Sequence, residues 1–231
     1  MKRIGLTQRI ETISSYDERR DALDQQWYKL LLEMQMLPIP LPNLAPELAP
    51  VLIDELKLDG VVFTGGNDLS HLELSDIDQM AERDTFELAL ISQAQKRSIP
   101  MFGVCRGMHI INHYFGGRLV KIGGHVAKDH SITALIKSRP LPKKVNSFHN
   151  WTIPIDGLAT SLHAVGVDEA GNVEAFVHKT EKIAGVAWHP EREQEFNIYD
   201  IKFLKNIFSY KVNSFRIDFS YVLNIPKAFF L

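Results

Sequence analysis

The stretch IPMFGVCRGMHIINHY, residues 99–114, decides the fold of this chain. Residues 99–104 form an apolar run that is typical of a buried strand, and residues 106–114 have the apolar spacing of a helix. Cys105 lies between the two segments and has a glycine two positions away on either side. The pattern predicts a nucleophile elbow, a sharp strand-to-helix turn, with Cys in the place of the usual Ser.

Cys105 is the only cysteine, and two interpretations of it stay open. At the start of a helix the aligned peptide dipoles favour a thiolate, so Cys105 is a candidate nucleophile. The alternative is an inert thiol at a strand end, because free cysteine is among the most buried residue types. A lone cysteine excludes an internal disulfide framework and a multi-cysteine metal site.

Strand-like and helical segments alternate around the elbow. This alternation predicts an α/β fold, an open, mostly parallel sheet with helices on both faces, plus a small β-rich excursion after residue 118. Pro38, Pro40 and Pro42 predict a loop, and residues 162–177 predict a hairpin that turns at 168–172. The predicted strands are 2–7, 59–64, 99–104 and 183–188, and the predicted helices are 17–35, 46–57, 76–97, 106–114 and 198–212.

Composition and charge limit the class of protein. The chain has 231 residues, of which 45% are apolar and 23% charged, as in a soluble globular protein. A net charge of -2 gives no general attraction to nucleic acid or to a membrane surface. With no apolar run of about 18 residues and no signal peptide in view, a cytoplasmic location is expected. We expect one catalytic domain over residues 1–212 and assign no role to the aromatic-rich tail, 213–231.

A second candidate segment is His189-Pro190-Glu191, directly after the apolar strand 183–188. Open α/β sheets place their sites at the carboxyl ends of strands, which is where His189 would lie. A carboxylate two residues later can accept a proton from the imidazole and hold it in one tautomer. The alternative is a surface histidine beside a solvated glutamate.

Together, Gly103-Val104-Cys105-Arg106-Gly107 and the segment from Gly185 to Glu191 resemble the class I (triad) glutamine amidotransferase family. The resemblance covers residues 2–212 and is strongest to the branch that hydrolyses γ-glutamyl amides, the γ-glutamyl-γ-aminobutyrate hydrolase type. The segments that suggest this branch are Ile4 to Gln8, Arg20 to Gln25, Pro38 to Asn43, Arg83-Asp84 and Asn146 to His149.

The resemblance implies a role for each matching residue. Cys105 is the nucleophile, His189 the general base and then acid, and Glu191 the group that orients the imidazole. The backbone N–H groups of Gly66 and Arg106 form the oxyanion hole. The residues implied in substrate binding are Gly65, His109, Asn146, Ser147, Phe148 and His149. Taken without the resemblance, Gly65-Gly66 is simply a turn, and residues 147–149 a strand end.

His109 departs from the family pattern. The family usually has Gln four residues after the nucleophile, where it contacts the glutamyl group, and this chain has His109 there. An imidazole can still donate one hydrogen bond, but it is shorter and can carry charge. The alternative is a helix histidine that packs beside the elbow.

The implied activity is hydrolysis of the γ-amide of a γ-glutamyl compound through a cysteine thioester, without metal or organic cofactor. The products are L-glutamate and an amine. Basic residues are dense between 118 and 149, where the only acid is Asp129, and we expect some of them to receive an anionic leaving group. The alternative is a solvated basic face. These basic residues are Arg118, Lys121, Lys128, Lys137, Arg139, Lys143 and Lys144.

Three rival functions remain open from the sequence. A glutaminase subunit would deliver ammonia to a separate synthetase chain, and a homodimer is the other partnership considered. A cysteine esterase of the α/β-hydrolase type is disfavoured, because that fold places the acid before the histidine and here Glu191 follows His189. A non-catalytic module on the same fold ranks last, because all three triad positions are filled.

Overall fold

A computed structural model describes residues 1–70, 72, 80–123 and 126–209 of the chain. The proposed domain boundary at residue 212 and the tail 213–231 lie outside these ranges. The strands are β1 Lys2–Thr7, β2 Arg9–Ile13, β3 Glu18–Ala22, β4 Met36–Leu41, β5 Gly60–Phe63, β6 Met101–Val104, β7 Val120–Lys121, β8 Val126–Ser131, β9 Thr133–Ala134, β10 Lys144–Phe148, β11 Trp151–Thr152, β12 Leu162–Val167, β13 Val173–His178 and β14 Ile183–Val186.

Within the described ranges, the α-helices agree with the predicted set in number and order. The elbow helix spans the predicted residues, and the others begin later or end earlier there, as is usual for helix ends. Residues 76–79 and 210–212 of the predicted helices lie outside these ranges. Within the described ranges, every helix is too short or too polar to cross a bilayer. The helices are α1 Gln26–Glu33, α2 Ala49–Leu56, α3 Ala81–Lys96, α4 Arg106–Tyr114 and α5 Ile198–Phe208.

The main sheet has the strand order β4-β1-β5-β6-β14-β13-β12-β9. The first five strands of this order are parallel, and the last three are antiparallel. Three small antiparallel pairs, β2–β3, β7–β11 and β8–β10, lie outside it. The prediction of an open, mostly parallel sheet with a β-rich excursion is confirmed.

Apolar side chains cover both faces of the main sheet. On β5 and β6, Val62 and Phe102 pack with residues of α1 and α5, such as Leu30 and Leu204. The alternate residues of the same strands pack with α2, α3 and α4. Because side chains alternate along a strand, strands buried on both faces are apolar throughout, as these are.

Two local predictions were wrong. The predicted helix 17–35 is a strand followed by a shorter helix, because Glu18–Ala22 pairs antiparallel with Arg9–Ile13. Pro38 and Pro40 of the predicted proline loop lie in β4, a strand at the edge of the main sheet that pairs with β1. Pro42 follows this strand. Proline is tolerated on an edge strand because the missing N–H can face away from the partner. The predicted hairpin at 162–177 is confirmed as β12 and β13.

Candidate active site

The elbow lies where β6 ends and α4 begins. Cys105 has φ 53° and ψ -113°, and a positive φ is uncommon for a residue with a side chain. A Cβ on Gly103 would lie 2.4 Å from the carbonyl oxygen of Gly107, and a Cβ on Gly107 would lie 1.9 Å from that of Phe63. The Gly-x-Cys-x-Gly spacing therefore follows from close backbone approaches that exclude any side chain.

Three adjacent parallel strands bring the predicted site residues to one edge of the sheet. Gly65 follows β5, Cys105 follows β6 and His189 follows β14. A Cβ built on Gly65 would lie 2.7 Å from His189 Cε1, 3.5 Å from His189 Nε2 and 3.5 Å from Cys105 Cβ. One point in space thus contacts both the cysteine and the imidazole, so these two side chains lie close together.

His189 and Glu191 form a buried pair, and each side chain is only 2% exposed. The imidazole Nδ1 lies 2.7 Å from Glu191 Oε1. An ionised carboxylate can only accept, so Nδ1 donates the proton, and Nε2 is the nitrogen that faces Cys105. The arrangement fixes one tautomer of the ring, as a nucleophile–base–orienter site requires.

The charge state of His189 depends on its two neighbours. Burial lowers the pKa of His189, but Glu191 and then Cys105 more than offset this and raise the pKa to about 9. A histidine whose pKa is raised on folding stabilises the folded state fully below about pH 6.5. That contribution is lost as the pH rises through about 9.

Replacing Glu191 by glutamine is expected to lower the pKa of His189, because the amide is uncharged. Titration of the ring by NMR gives this midpoint directly, and the wild-type midpoint is expected near 9. The stability that His189 contributes would then be lost at a lower pH than in the wild type. Glu195→Gln, an exposed change four residues away, is the control. Equal midpoints in wild type and Glu191→Gln would contradict the pairing.

Asn146 holds the backbone of His189. Its Oδ1 accepts the N–H of His189 at 2.9 Å, and its Nδ2 donates to the carbonyl of the same residue at 2.9 Å. Nδ2 also donates to Glu193 Oε1 at 2.7 Å. The sequence assigned Asn146 to the substrate pocket, but here its amide is used on the histidine. We therefore treat it as a residue that positions His189.

A buried arginine grips the loop that carries Gly65 and Gly66. Arg83 on α3 is fully buried and donates to the carbonyl oxygens of Thr64 at 2.9 Å, Gly65 at 3.2 Å and Gly66. Its Nε donates to Glu87 Oε1 at 3.0 Å. Because all three carbonyls point to one guanidinium, the conformation of the loop is fixed.

Glu87, the carboxylate that accepts from Arg83, also connects the loop of Gly65 and Gly66 to the elbow. Arg106, the residue after Cys105, donates to both Glu87 and Asp84. Burial and Arg106 lower the pKa of Arg83 to about 10. Burial opposes ionisation of Glu87, but Arg106 and Arg83 outweigh it and hold the pKa of Glu87 below its ordinary value. Glu87 is therefore charged and joins the segments that contain the two predicted oxyanion donors.

The remaining predicted binding residues surround the elbow. His109 is buried on α4, and burial, His149 and Arg106 lower its pKa to about 3, so it is neutral at pH 7. The ring of His109 lies 6.3 Å from that of His149, whose Nδ1 lies 2.8 Å from the carbonyl of Trp151. Ser147 is buried. Phe148 is 39% exposed, and its ring lies 5.7 Å from that of His189.

Sequence reasoning missed Arg83 and Glu87 as parts of the site. Arg83-Asp84 was used only as a mark of the family, and Glu87 was not singled out. The two residues are four apart on a helix, a spacing that also describes ordinary exposed ion pairs. Arg83 and Glu87 differ from such exposed pairs in being buried, and the spacing in the sequence does not show this.

Fold and residues together define a class I glutamine amidotransferase-like chain. The profile of the Peptidase C26 family matches residues 3–191, and the chain belongs to this family. The predicted family resemblance is confirmed.

Similar proteins include γ-glutamyl hydrolases. The chain is 34% identical to the γ-glutamyl-CDP-amidate hydrolase of Campylobacter jejuni over 89% of this chain and 97% of that one. It is 29% identical to the γ-glutamyl-γ-aminobutyrate hydrolase of Escherichia coli O157:H7 over 67% of this chain and 57% of that one. The solved structure of a putative GMP synthase component from Thermoplasma acidophilum has a TM-score of 0.64 at 20% identity and covers 90% of this chain and 92% of that one.

Proposed function

We propose that this chain hydrolyses the γ-amide bond of γ-glutamyl compounds with Cys105 as the nucleophile. The observation that carries the proposal is the convergence of Cys105 and the buried His189–Glu191 pair beside Gly65. Two similar proteins whose names specify γ-glutamyl hydrolysis support the substrate class.

In the first step the thiolate Sγ of Cys105 attacks the amide carbon, and a C–S bond forms. The carbonyl oxygen becomes an oxyanion, which accepts from the backbone N–H groups of Gly66 and Arg106. Each such donor lowers the barrier by about 3 kcal/mol in enzymes where one has been removed. Arg83 and Glu87 do not touch the reacting atoms and act by holding these donors in place.

The second step expels the amine. The imidazolium of His189 gives its Nε2 proton to the departing nitrogen as the C–N bond breaks, which leaves a γ-glutamyl thioester. Water then gives one proton to Nε2 and adds its hydroxyl to the thioester carbon. The C–S bond breaks, glutamate leaves and the Cys105–His189 pair returns to its starting state.

A phosphate-bearing amine is the leaving group that the comparisons favour. The Campylobacter jejuni relative, whose name gives γ-glutamyl-CDP-amidate as substrate, matches this chain over almost its whole length. In such an amidate the leaving nitrogen is bonded directly to a phosphorus atom of the nucleoside diphosphate. We therefore propose an anionic leaving amine of this kind for the present chain as well.

A panel of three γ-glutamyl substrates tests the proposed function. Glutamine, γ-glutamyl-γ-aminobutyrate and γ-glutamyl-CDP-amidate differ only in the amine, and glutamate release measures kcat/KM for each. We expect release without a partner protein and the highest kcat/KM for the CDP-amidate. If none of the three releases glutamate, the proposal fails. Release from glutamine alone, and only with a synthetase present, would favour the glutaminase-subunit rival.

A further inference from the structure

A small cleft of about 20 Å³ beside His189 is the candidate exit of the leaving group. The proton for the departing nitrogen comes from Nε2, so that nitrogen must lie within hydrogen-bond distance of this atom. The walls of the cleft come from the start of β2, the connection from β3 to α1, and the turn after β14. Besides the site residues, the lining side chains are Arg9, Ala22, Leu23, Asp24, Trp27 and Arg192.

The charged side chains in this lining favour an anion. Arg9 and Arg192 bring two permanent positive charges. Asp24 and Glu191 each bring one negative charge, and Glu191 is paired with the imidazole of His189. Asp24 Oδ1 already accepts the N–H of Gln26 at 2.9 Å. Lys128 and Lys144, which the sequence suggested as anion ligands, are exposed on the antiparallel pair of β8 and β10.

The side chain of Arg9 packs against Gly66. A Cβ on Gly66 would lie 2.7 Å from Arg9 Cδ, so the apolar stem of Arg9 rests on this glycine. Its Nη2 lies 2.5 Å from Glu11 Oε1, a pair with both side chains about two-fifths exposed. Such exposed pairs hold their partners weakly. Its Nε is buried without a hydrogen-bond partner in the described part of the chain.

Arg192 also lines the cleft, from the turn after β14. Its guanidinium carbon is 4.4 Å from the centre of the Phe148 ring, a cation–π contact that fixes its direction. Its Nε is 3.8 Å from Glu191 Oε1, the oxygen that already accepts from His189. The guanidinium N–H groups are therefore not all used by these contacts.

A larger cavity of about 550 Å³ lies along β2 and has Arg9 in common with the lining of the exit cleft. Its other lining residues include Glu11, the partner of Arg9, and Gly66, Asn67 and Met80. Ligand sites for molecules of drug size have volumes of about 300–1,000 Å³. The space is thus large enough for a bulky group attached to the leaving nitrogen, much larger than ammonia.

We infer that Arg9, together with Arg192 of the same lining, binds the phosphate part of the leaving group and selects phosphate-bearing γ-glutamyl substrates. A guanidinium presents two parallel N–H donors that match two phosphate oxygens, which a lysine cannot do. The inference rests on the proposed function and adds a specificity site to it. Arg9 contacts the part of the substrate that leaves, so the glutamyl group and its recognition are unaffected.

The test is steady-state kinetics of Arg9→Gln and Arg192→Gln with the three substrates named above. For γ-glutamyl-CDP-amidate, kcat/KM is expected to fall about 10- to 100-fold in each variant, as for a lost hydrogen bond to a charged group. For glutamine, whose leaving group is ammonia, it is expected to stay within about twofold of the wild type. γ-Glutamyl-γ-aminobutyrate, with a carboxylate but no phosphate, is expected to lose less than the CDP-amidate.

Arg20→Gln is the matched control, because Arg20 is an exposed arginine of the same hairpin and pairs with Glu18. It lines neither cavity and should leave all three substrates unchanged. Equal losses for glutamine and the CDP-amidate in Arg9→Gln would overturn the inference, since Arg9 would then act only by supporting Gly66. No loss for either substrate would overturn it as well.

Binding of CDP separates this inference from the proposed function. Calorimetry of wild type and Arg9→Gln with CDP needs no turnover, and the wild type is expected to bind at least about 10-fold more tightly. If CDP binding depends on Arg9 but no substrate is hydrolysed, the proposed function fails and the anion site stands. If the CDP-amidate is hydrolysed equally well by both proteins, the anion site fails and the function stands.

Discussion

Replacing Cys105 by alanine is expected to lower kcat for glutamate release by about 10,000-fold or more, as for other catalytic nucleophiles. The remaining groups, His189 and the oxyanion donors, have no atom with which to form the acyl intermediate. A coupled assay for glutamate gives kcat, and calorimetry with the unreacted substrate shows whether binding is kept. We expect the dissociation constant to change little, because the thiol contributes mainly to the transition state.

The control for this variant is His113→Gln, a change on the same helix away from the reacting atoms. It should keep activity within about threefold of the wild type, and both variants should remain folded. Alanine at position 105 needs the same positive φ as cysteine, so the elbow itself adds no new strain. Substantial glutamate release by Cys105→Ala would exclude the thioester mechanism.

Replacing Glu87 by glutamine is expected to destabilise the fold by about 3–5 kcal/mol, because a charge that Arg83 and Arg106 share is lost in the interior. In a domain of this size that is a fall in Tm of about 6–20 °C. Arg83, which holds the loop of Gly65 and Gly66, would also lose its charged partner. The proposed oxyanion donor of Gly66 would then be held less firmly, so we expect kcat to fall with KM nearly unchanged. Thermal unfolding and steady-state kinetics measure the two effects separately.

Glu82→Gln provides the comparison for Glu87. Both glutamates are on α3 and pair with an arginine, but the Arg19–Glu82 pair is exposed. An exposed pair contributes no more than about 1 kcal/mol, so Tm should change by only a few degrees. Equal changes in the two variants would show that the buried network does not connect the loop to the elbow.

The parts of the fold that could be predicted are those where local pattern and burial agree. β5, β6 and β14 are continuous apolar runs, and the elbow helix shows its period and its glycines directly. Each of these strands is buried on both faces, so its residues must be apolar throughout, and such a run is visible in the sequence.

Elements whose structure depends on a pairing partner or on their place in the sheet, and not on their own apolar pattern, were predicted wrongly. β3 has the sequence ERRDA and lies almost entirely exposed, with no apolar alternation to mark a strand. It is a strand because β2 pairs with it. β4 contains two prolines that punctuate a loop in most sequences, and only its place at the sheet edge makes them compatible with a strand.

The residues of the candidate site also fall into a predictable group and an unpredictable one. Cys105, His189 and Glu191 could be predicted because short motifs carry them, each at the end of an apolar strand, and their catalytic roles stay a prediction. Arg83, Glu87 and Arg9 were missed because charged residues are usually exposed, and no spacing shows which of them face the site. Asn146 was found, but its partner was not, since the amide of Asn146 lies against a residue 43 positions away.

Labelling with a diazoketone analogue of glutamine tests the central claim most directly. Such a reagent alkylates a nucleophile only where the glutamyl group is held beside it, and peptide mass spectrometry then locates the adduct. We predict one adduct, on Cys105, which excess glutamate prevents and which is absent from Cys105→Ala. A protein that releases glutamate while Cys105 stays unmodified, or that is labelled elsewhere, would contradict the account.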